Sequence, residues 1–216
     1  MLIRTVVAPL LATNCHLLVD GDRLWIVDPG AGAAPQVRAI VEAEGLRPAG
    51  ILLTHGHLDH TWDAAELSAA YDIVVHVHAG DAYRLREPVR SLGPVGVAVA
   101  TAAGVPDGPP VPARVTTFDA VAPTGAPVTV LPSPGHTEGS TVYLVDVADG
   151  VVALTGDVLF AGSIGRTDFP GSDTARMRES LARLTRLDPA TRVLPGHGPA
   201  TTIAAEIAGN PFLTAL

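Results

Sequence analysis

The segment Thr54-His55-Gly56-His57-Leu58-Asp59-His60 carries three imidazole side chains and one carboxylate within seven residues. It follows a short apolar run that is typical of a buried β-strand. His55 and His57 are two residues apart at the strand end, so both side chains can point to one side and bind one ion. Asp59 and His60 then fall in the turn and the first residues of a following helix, within reach of a neighbouring ion. The segment therefore predicts two adjacent metal sites.

Two further histidines stand far downstream in loops framed by proline and glycine: His136 in Pro-Gly-His-Thr and His197 in Pro-Gly-His-Gly. Glycine lets the backbone turn sharply beside a ligand. Asp157 ends an apolar run, and its two carboxylate oxygens can bridge two ions. The complete set of five histidines and two aspartates suffices to hold two divalent metals and to leave positions open for water. The sequence therefore predicts a metal-dependent hydrolase.

The composition limits the classes of protein to consider. With 216 residues, of which 47% are hydrophobic, the chain fits one domain over residues 1–216 without disulfides. Cys15 is the only cysteine and stands in an apolar run, which predicts a buried, unreactive thiol. The net charge of −8 and the absence of basic runs argue against a nucleic-acid partner. No apolar stretch reaches the roughly 20 residues of a membrane span, so we expect a cytoplasmic protein with no membrane partner.

Strand-like runs alternate with helical patterns in both halves of the chain, which favours a layered α/β sandwich. The clearest helices are predicted over Ala34–Glu44, closed by Gly45, and over about Asp173–Leu187. Residues 87–127 differ, because they are rich in proline, glycine, alanine and valine and show weak periodicity. We predict a long ordered loop with short elements. Such an insertion often borders an active site, so it either lies partly over the metal cleft or is a surface excursion.

Three other histidines are predicted not to bind metal. His76 and His78 share the two-residue spacing of the first segment, but they lack a nearby carboxylate and are expected to end a strand. His16 stands in an apolar strand-like run. A single histidine is more often a surface or hydrogen-bonded core residue than a ligand.

The motifs resemble those of the metallo-β-lactamase superfamily and, within it, of the short glyoxalase II-like hydroxyacylglutathione hydrolases. The resemblance covers nearly the whole chain and implies an α/β fold, a four-layer αββα sandwich. The segments that carry it are Asp28–Gly30, Thr54–His60, Gly135–Ser140, Thr155–Gly171, Pro195–Pro199 and Asn210–Phe212.

The same resemblance implies two sets of three metal ligands and one bridge. The first set is His55, His57 and His136, the second is Asp59, His60 and His197, and Asp157 is the bridge, together with a water or hydroxide. Asp59 and Asp157 would be the catalytic carboxylates. Asp28 would orient the ligands from outside the metal shell. The expected cofactors are two divalent ions, with zinc as the first choice and iron or manganese as alternatives.

Two departures from the family pattern bear on function. Asp63 stands where the family usually has glycine, with consequences for the start of a helix or for contacts around the ligands. The sequence also ends soon after His197, so we expect no C-terminal helical domain of the kind that carries the glutathione-binding residues in longer glyoxalase II enzymes. The thiol carrier therefore stays open.

The implied reaction is hydrolysis of a small thioester by a metal-bound hydroxide. The substrate would be a 2-hydroxyacyl thioester of glutathione or of a related low-molecular-weight thiol. Arg166 either binds a substrate carboxylate or pairs with Asp168, and Tyr143 and Phe169 either line a pocket or pack in the core.

Three alternatives stay open. Persulfide dioxygenases of the same superfamily keep the histidines, share a Gly-Arg-Thr-Asp segment and use one iron, here on His55, His136 and Asp157. Leu58 and the segment Phe160–Ile164 favour the hydrolase. Antibiotic β-lactamases are normally exported and usually lack the bridging carboxylate. A non-catalytic metal-binding protein would be expected to close its site with protein ligands.

Overall fold

Two β-sheets form the centre of the molecule, and each comes from one half of the chain. In the computed structural model, which describes residues 1–216, the first sheet has six strands in chain order: β1 (Leu2–Val7), β2 (Asn14–Asp20), β3 (Arg23–Val27), β4 (Arg47–Leu52), β5 (Val75–His78) and β6 (Val115–Phe118). Strands β1 to β3 are antiparallel, and β3 to β6 are parallel.

The second sheet has five strands, and a short hairpin interrupts its chain order. Its first three strands are β7 (Thr129–Pro132), β8 (Thr141–Val147) and β9 (Gly150–Gly156). The hairpin β10 (Leu159–Phe160) and β11 (Ser163–Ile164) follows, and the chain returns as β12 (Arg192–Pro195) and β13 (Thr201–Thr202). The spatial order is β13-β12-β9-β8-β7, with β12 parallel to β9.

Seven α-helices complete the fold: α1 (Ala34–Glu44), α2 (Leu58–Thr61), α3 (Ala64–Tyr71), α4 (Pro94–Ala102), α5 (Thr174–Leu184), α6 (Ile203–Gly209) and α7 (Pro211–Thr214). Two 3₁₀ segments cover Ala79–Leu85 and Arg90–Leu92. Helix α1 has the predicted bounds, with Gly45 in the left-handed conformation at its end. Helix α5 is shorter than predicted, because Asp173 caps its start and Thr185 closes it. None of the helices is both long and apolar enough to cross a membrane.

Three hydrophobic clusters correspond to the three interfaces of a four-layer sandwich. One joins the first sheet to α1 and α3, through residues such as Val37 and Leu67. The second lies between the sheets, where Trp25 and Tyr143 belong to opposite layers. The third joins the second sheet to α5, α6 and α7. The predicted αββα sandwich is therefore confirmed.

The segment 87–127 is more regular than predicted, because it contains helix α4 and the edge strand β6. Helix α4 has the sequence Pro-Val-Gly-Val-Ala-Val-Ala-Thr-Ala, in which valine recurs at every second position and hides the helical period. Gly93 has a φ of 59° and turns the chain, and Pro94 occupies the first helical position, where a missing N–H costs nothing. Local turn chemistry therefore overrides the strand-like pattern.

Asp63 links the loop before α3 to the start of α1. Its Oδ2 atom accepts hydrogen bonds from the backbone N–H groups of Gly32, at 2.9 Å, and Ala34, at 2.8 Å. The helix has no capping side chain of its own, since Ala33 precedes it. Glycine at position 63 would leave these donors unpaired. Asp63, which replaces the glycine usual in the family, therefore caps α1 from outside that helix.

We expect Asp63→Ala to lower the free energy of unfolding by about 1–2 kcal/mol, because the buried N–H of Ala34 and the partly buried N–H of Gly32 lose their acceptor. Asp63→Asn keeps an acceptor oxygen and should lose less. Denaturant titration of the metal-free protein measures both values. If the alanine variant is as stable as the parent chain, Asp63 does not cap α1.

Candidate metal centre

The ends of several strands bring the predicted ligands to one edge of the sandwich. His55 and His57 follow β4, Asp157 follows β9, and His197 follows β12. Asp59 and His60 begin α2, and His136 lies in the loop between β7 and β8. All seven predicted metal ligands therefore meet at one edge of the sandwich, where strands of both sheets end.

Asp59, His60 and His197 form one group of facing donor atoms. The Nε2 atoms of His60 and His197 are 3.3 Å apart. Oδ2 of Asp59 lies 3.1 Å from Nε2 of His197 and 3.6 Å from Nε2 of His60. Two nitrogen ligands of one tetrahedral zinc are about 3.4 Å apart, given zinc–nitrogen bonds of about 2.1 Å. The spacing of this group therefore fits a single cation.

His55, His57 and His136 form a second group. Nε2 of His136 lies 2.9 Å from Nδ1 of His57, and one ring nitrogen from each of the three side chains lies within 4.8 Å of the others. Nε2 of His55 is buried and has no hydrogen-bond partner. A buried polar atom without a partner is costly, and a cation would satisfy it.

Asp157 lies between the two groups. Its Oδ1 atom is 3.2 Å from Nε2 of His60, and its Oδ2 atom is 3.7 Å from Nε2 of both His136 and His197. Oδ1 is buried and makes no hydrogen bond. One oxygen of this carboxylate faces His60 and the other lies near both groups, through His136 and His197, which is the arrangement that a bridging ligand requires.

Hydrogen bonds outside the centre determine which ring nitrogen of His55 and His136 faces inward. Thr54 Oγ1 donates to Asp28, so toward Nδ1 of His55, 3.1 Å away, it can only accept. Nδ1 of His55 then carries the proton, and Nε2 offers its lone pair to the centre. Nδ1 of His136 donates to the carbonyl oxygen of Arg166 at 2.8 Å, which likewise frees Nε2.

Asp28 holds His60 from outside the centre. Its Oδ2 atom accepts from Nδ1 of His60 at 2.9 Å and from Thr54 Oγ1 at 2.6 Å, and its Oδ1 atom accepts from the backbone N–H of Thr54 at 2.8 Å. Asp28 also lies within ligand spacing of His55 and His60. Because three donors already occupy its oxygens, the carboxylate is suited to orienting His60 and not to binding metal.

Two glycines make room for the crowded donors. A β-carbon at Gly196 would overlap Oδ1 of Asp157 and the ring of His60, and one at Gly165 would overlap the carbonyl oxygen of Asp157. Any side chain at these positions would push the bridging carboxylate away from its place between the two groups.

Asp81 and Arg84 belong to the site although the sequence did not single them out. Both are fully buried and paired at 3.2 Å. The Asp81 carboxylate also accepts from the backbone N–H groups of Gly56, at 2.8 Å, and Gly139, at 2.9 Å. It therefore ties the loop of His55 and His57 to the loop of His136. The spacing of three residues was the only signal in the sequence, and it is common on helix surfaces.

Asn14, on β2, holds the loop of His197. Its side-chain amide donates to the carbonyl oxygens of Pro195 and Gly198, each at 2.9 Å. These two residues bracket His197 from both sides. The contact spans more than 180 positions of sequence, so no local pattern points to it.

The protonation of His60 responds to the surrounding carboxylates. Burial alone would lower its pKa, but Asp157, Asp59 and Asp28 outweigh burial and raise the pKa well above its usual value. Burial likewise opposes ionisation of Asp59, yet His60 and His197 hold the pKa of Asp59 at about 2. Burial and neighbouring positive groups lower the pKa of His55 and His57. The group of Asp59, His60 and His197 therefore retains a proton that a cation would displace.

The remaining predicted residues lie around the centre. Arg166 is exposed and makes a bidentate ion pair with Asp168, at 2.8 and 2.7 Å, while its guanidinium stacks on the ring of Phe169. Tyr143 packs between the sheets and donates to the carbonyl oxygen of Leu53. Phe169 instead contacts the ring of His57 edge-on.

The histidines predicted not to bind metal, and Cys15, lie outside the groups of facing donor atoms. His76 and His78 lie on β5 and contact the rings of Trp25 and Phe118. Buried His16 lies within hydrogen-bonding distance of Thr5 and of the carbonyl oxygen of Pro195. Cys15 is fully buried, and burial raises the pKa of its thiol, so the thiolate is disfavoured.

The chain belongs to the metallo-beta-lactamase superfamily, whose family model matches residues 8–197. An uncharacterized protein of Mycobacterium leprae is 41% identical over the full length of both chains. A Haemophilus influenzae protein named hydroxyacylglutathione hydrolase GloC is 32% identical, covering 93% of this chain and 92% of the relative. The crystal structure of TTHA1623 in a di-iron-bound form is 34% identical, with a TM-score of 0.82 over 99% of this chain and 100% of that one.

We expect Asp28→Asn to weaken metal binding by about 10–100-fold, because Nδ1 of His60 loses its charged acceptor. Competition with a chromophoric chelator measures the zinc affinity. Asp146→Asn, at an exposed position of β8, is the matched control and should bind zinc normally. Equal affinities for all three proteins would show that Asp28 does not orient His60.

Zinc binding to the metal-free protein should strengthen with rising pH. The raised pKa of His60 means that its proton stabilises the metal-free fold fully below about pH 6.5, and that this stability is lost as the pH rises through the folded pKa. Because a cation must displace this proton, and the pKa of His197 is also raised by Asp59 and Asp157, we expect release of at least one proton on binding near neutral pH. Calorimetry in buffers of different ionisation enthalpy counts the protons. Binding without proton release would contradict the assigned protonation.

Proposed function

We propose that the protein hydrolyses a small thioester and that its seven converging side chains hold two divalent cations for this reaction. The expected substrate is a 2-hydroxyacyl thioester of glutathione or of a related low-molecular-weight thiol. The observation that carries the proposal is the position of Asp157 between two complete three-residue groups of donors. His57, Asp59, His136 and Asp157 border a cleft, so the donors are accessible to a substrate.

The cleft contains no alternative nucleophile. None of its lining residues is a serine, threonine, cysteine or lysine, and the only cysteine of the chain is buried in the core. Two bound cations would polarise the thioester carbonyl and lower the pKa of a water toward about 7. A thiolate is already a good leaving group, so the absence of a dedicated acid in the cleft is compatible with thioester cleavage.

The chain's own residues supply orientation. Asp28 accepts the Nδ1 proton of His60, and the carbonyl oxygen of Arg166 accepts that of His136. The ion pair of Asp81 and Arg84 joins two ligand loops, and Asn14 holds the third. Groups held at both ends lose little freedom when a cation binds, which favours tight binding in one geometry.

The relatives support the same reaction. A protein named hydroxyacylglutathione hydrolase aligns with nearly the whole chain at 32% identity. The neighbour that was crystallised with two irons makes iron the alternative to zinc. We propose zinc first, on the basis of the histidine-rich donors and the spacing of Asp59, His60 and His197.

A persulfide dioxygenase is the second candidate function, and it accounts for fewer of the observed contacts. One iron on His55, His136 and Asp157 would leave Asp59, His60 and His197 without a purpose, although their donor atoms lie 3.1–3.6 Å apart. A second cation accounts for this spacing.

The purified protein should contain about two metal ions per chain and cleave S-lactoylglutathione. Metal analysis by mass spectrometry, thioester absorbance and persulfide-dependent oxygen uptake are measured on the same sample. About one iron per chain with oxygen uptake would favour the dioxygenase. Two metals with no cleavage of any thioester tested would exclude the proposed reaction.

A further inference from the structure

We propose that helix α4 makes the cleft a binding site for a compact, uncharged acyl group, so that the protein selects its substrates by the acyl end and not by the charge of the thiol carrier. This inference rests on the proposed thioester hydrolysis and names the part of the substrate that the protein recognises. Three observations carry it: the chemistry of the cleft wall, the size of the cleft, and the ion pair between Arg166 and Asp168.

The wall of the cleft is apolar except for the predicted metal ligands. Six of its ten lining residues are hydrophobic: Leu11, Leu58, Leu92, Val95, Val99 and Phe169. The other four are ligands of the two groups described above. The wall contains no hydroxyl, amide or cationic side chain that would bind a polar substituent. Burial of apolar surface is therefore the main source of binding energy there.

Helix α4 and the turn before it supply half of this apolar wall. Leu92, Val95 and Val99 follow one another at steps of three and four residues, which places them on one face of the helical segment. Val97 lies on another face, where 55% of its surface is exposed. Val95 is also open to solvent, with 40% of its surface exposed, so what separates the two faces is the cleft: Val95 and Val99 line it and Val97 does not.

The cleft is large enough for the reacting end of a thioester only. Its volume is about 140 Å³. An engineered cavity of roughly 150 Å³ holds one benzene molecule, whereas sites that bury a drug-sized ligand measure about 300–1,000 Å³. A short acyl chain matches this volume, and a tripeptide carrier would extend beyond it.

The charges beside the cleft do not favour an anionic carrier. Arg166 contacts Phe169, but its guanidinium already forms two parallel hydrogen bonds with Asp168. The proposed cations would neutralise Asp59 and Asp157, the two carboxylates that border the cleft. No lysine or arginine side chain lines the cleft, and the whole chain carries a net charge of −8, so carboxylates on a carrier would gain no free cationic side chain here.

The test compares acyl length with carrier charge on the metal-loaded full chain. The substrates are acetyl, butyryl and hexanoyl thioesters, each on neutral N-acetylcysteamine and on anionic glutathione. We expect kcat/KM to rise about tenfold from acetyl to butyryl, since each methylene that fits contributes about three- to fourfold. For a given acyl group, the values of kcat/KM on the two carriers should differ by less than about threefold. A strong preference for glutathione, or no dependence on acyl length, would overturn the inference.

Matched variants locate the effect on α4. Val99→Thr keeps the side-chain shape but places a hydroxyl at the cleft wall. This variant should lose most of the rise in kcat/KM from the acetyl to the butyryl thioester. Val97→Thr makes the same change on the solvent face and should behave like the parent chain. Val95→Thr provides a second cleft variant. If Val99→Thr, Val95→Thr and Val97→Thr have equal acyl-length profiles, α4 does not select the acyl group.

A binding measurement separates this inference from the proposed reaction. S-butyl-N-acetylcysteamine is a thioether that cannot be hydrolysed, and its affinity for the metal-loaded chain is measured by calorimetry. Weaker binding to Val99→Thr than to Val97→Thr supports the apolar site even if no thioester is cleaved. Thioester cleavage with no such difference supports the proposed reaction and overturns the acyl site.

Discussion

The largely buried carboxylate of Asp157 lies within 3.2–3.7 Å of the imidazoles of His60, His136 and His197. Such a carboxylate is costly to bury unless positive charge compensates it. In the metal-free protein part of that charge is the proton of His60, which three carboxylates hold in place. Cations between the two donor groups would supply it more fully, because they also satisfy the unpaired Nε2 of His55. Asp157 requires positive charge beside it, which explains why so many histidines and aspartates lie close together around it.

The scaffold meets this requirement by ending strands of both sheets at one edge. Each ligand loop is then fastened to another part of the chain. Asp81 connects two loops, Asn14 holds a third, and Asp28 connects β4 to α2 through Thr54 and His60. The glycines at positions 165 and 196 allow the backbone to approach Asp157 closely. The hydrophobic layers make the scaffold rigid. The polar contacts tie the loops to this scaffold and so fix the positions of the donor atoms.

Local patterns in the sequence were sufficient for the layers of the fold and for the positions of α1, β4 and the donor segment. A strand followed by closely spaced histidines is a short-range signal, and so is a helix that ends at Gly45. Helix α4 was missed because its valines recur at every second position, while the features that make it helical are the turn at Gly93 and the proline after it. The resemblance to the family marked Asp63 as unusual, but it did not show that Asp63 caps α1.

The contacts that could not be predicted join distant parts of the chain. Asp81 and Gly139 are 58 positions apart, and Asn14 and Gly198 are 184 positions apart. Nothing local distinguishes Asp81 from an exposed aspartate at the start of a helix. The apolar wall of the cleft is equally non-local, because Leu11, Val99 and Phe169 meet only in the folded chain. Sequence patterns therefore identified the donors, and the tertiary structure revealed their supports and the cleft above them.

Anomalous diffraction from crystals grown with zinc tests the central claim most directly. Data on both sides of the zinc absorption edge give the number and positions of bound ions without any assumption about activity. We expect two peaks about 3.5–4 Å apart, one beside His55, His57 and His136 and the other beside Asp59, His60 and His197, with Asp157 between them. A single peak, or a peak in contact with Asp28, would contradict the two-cation centre.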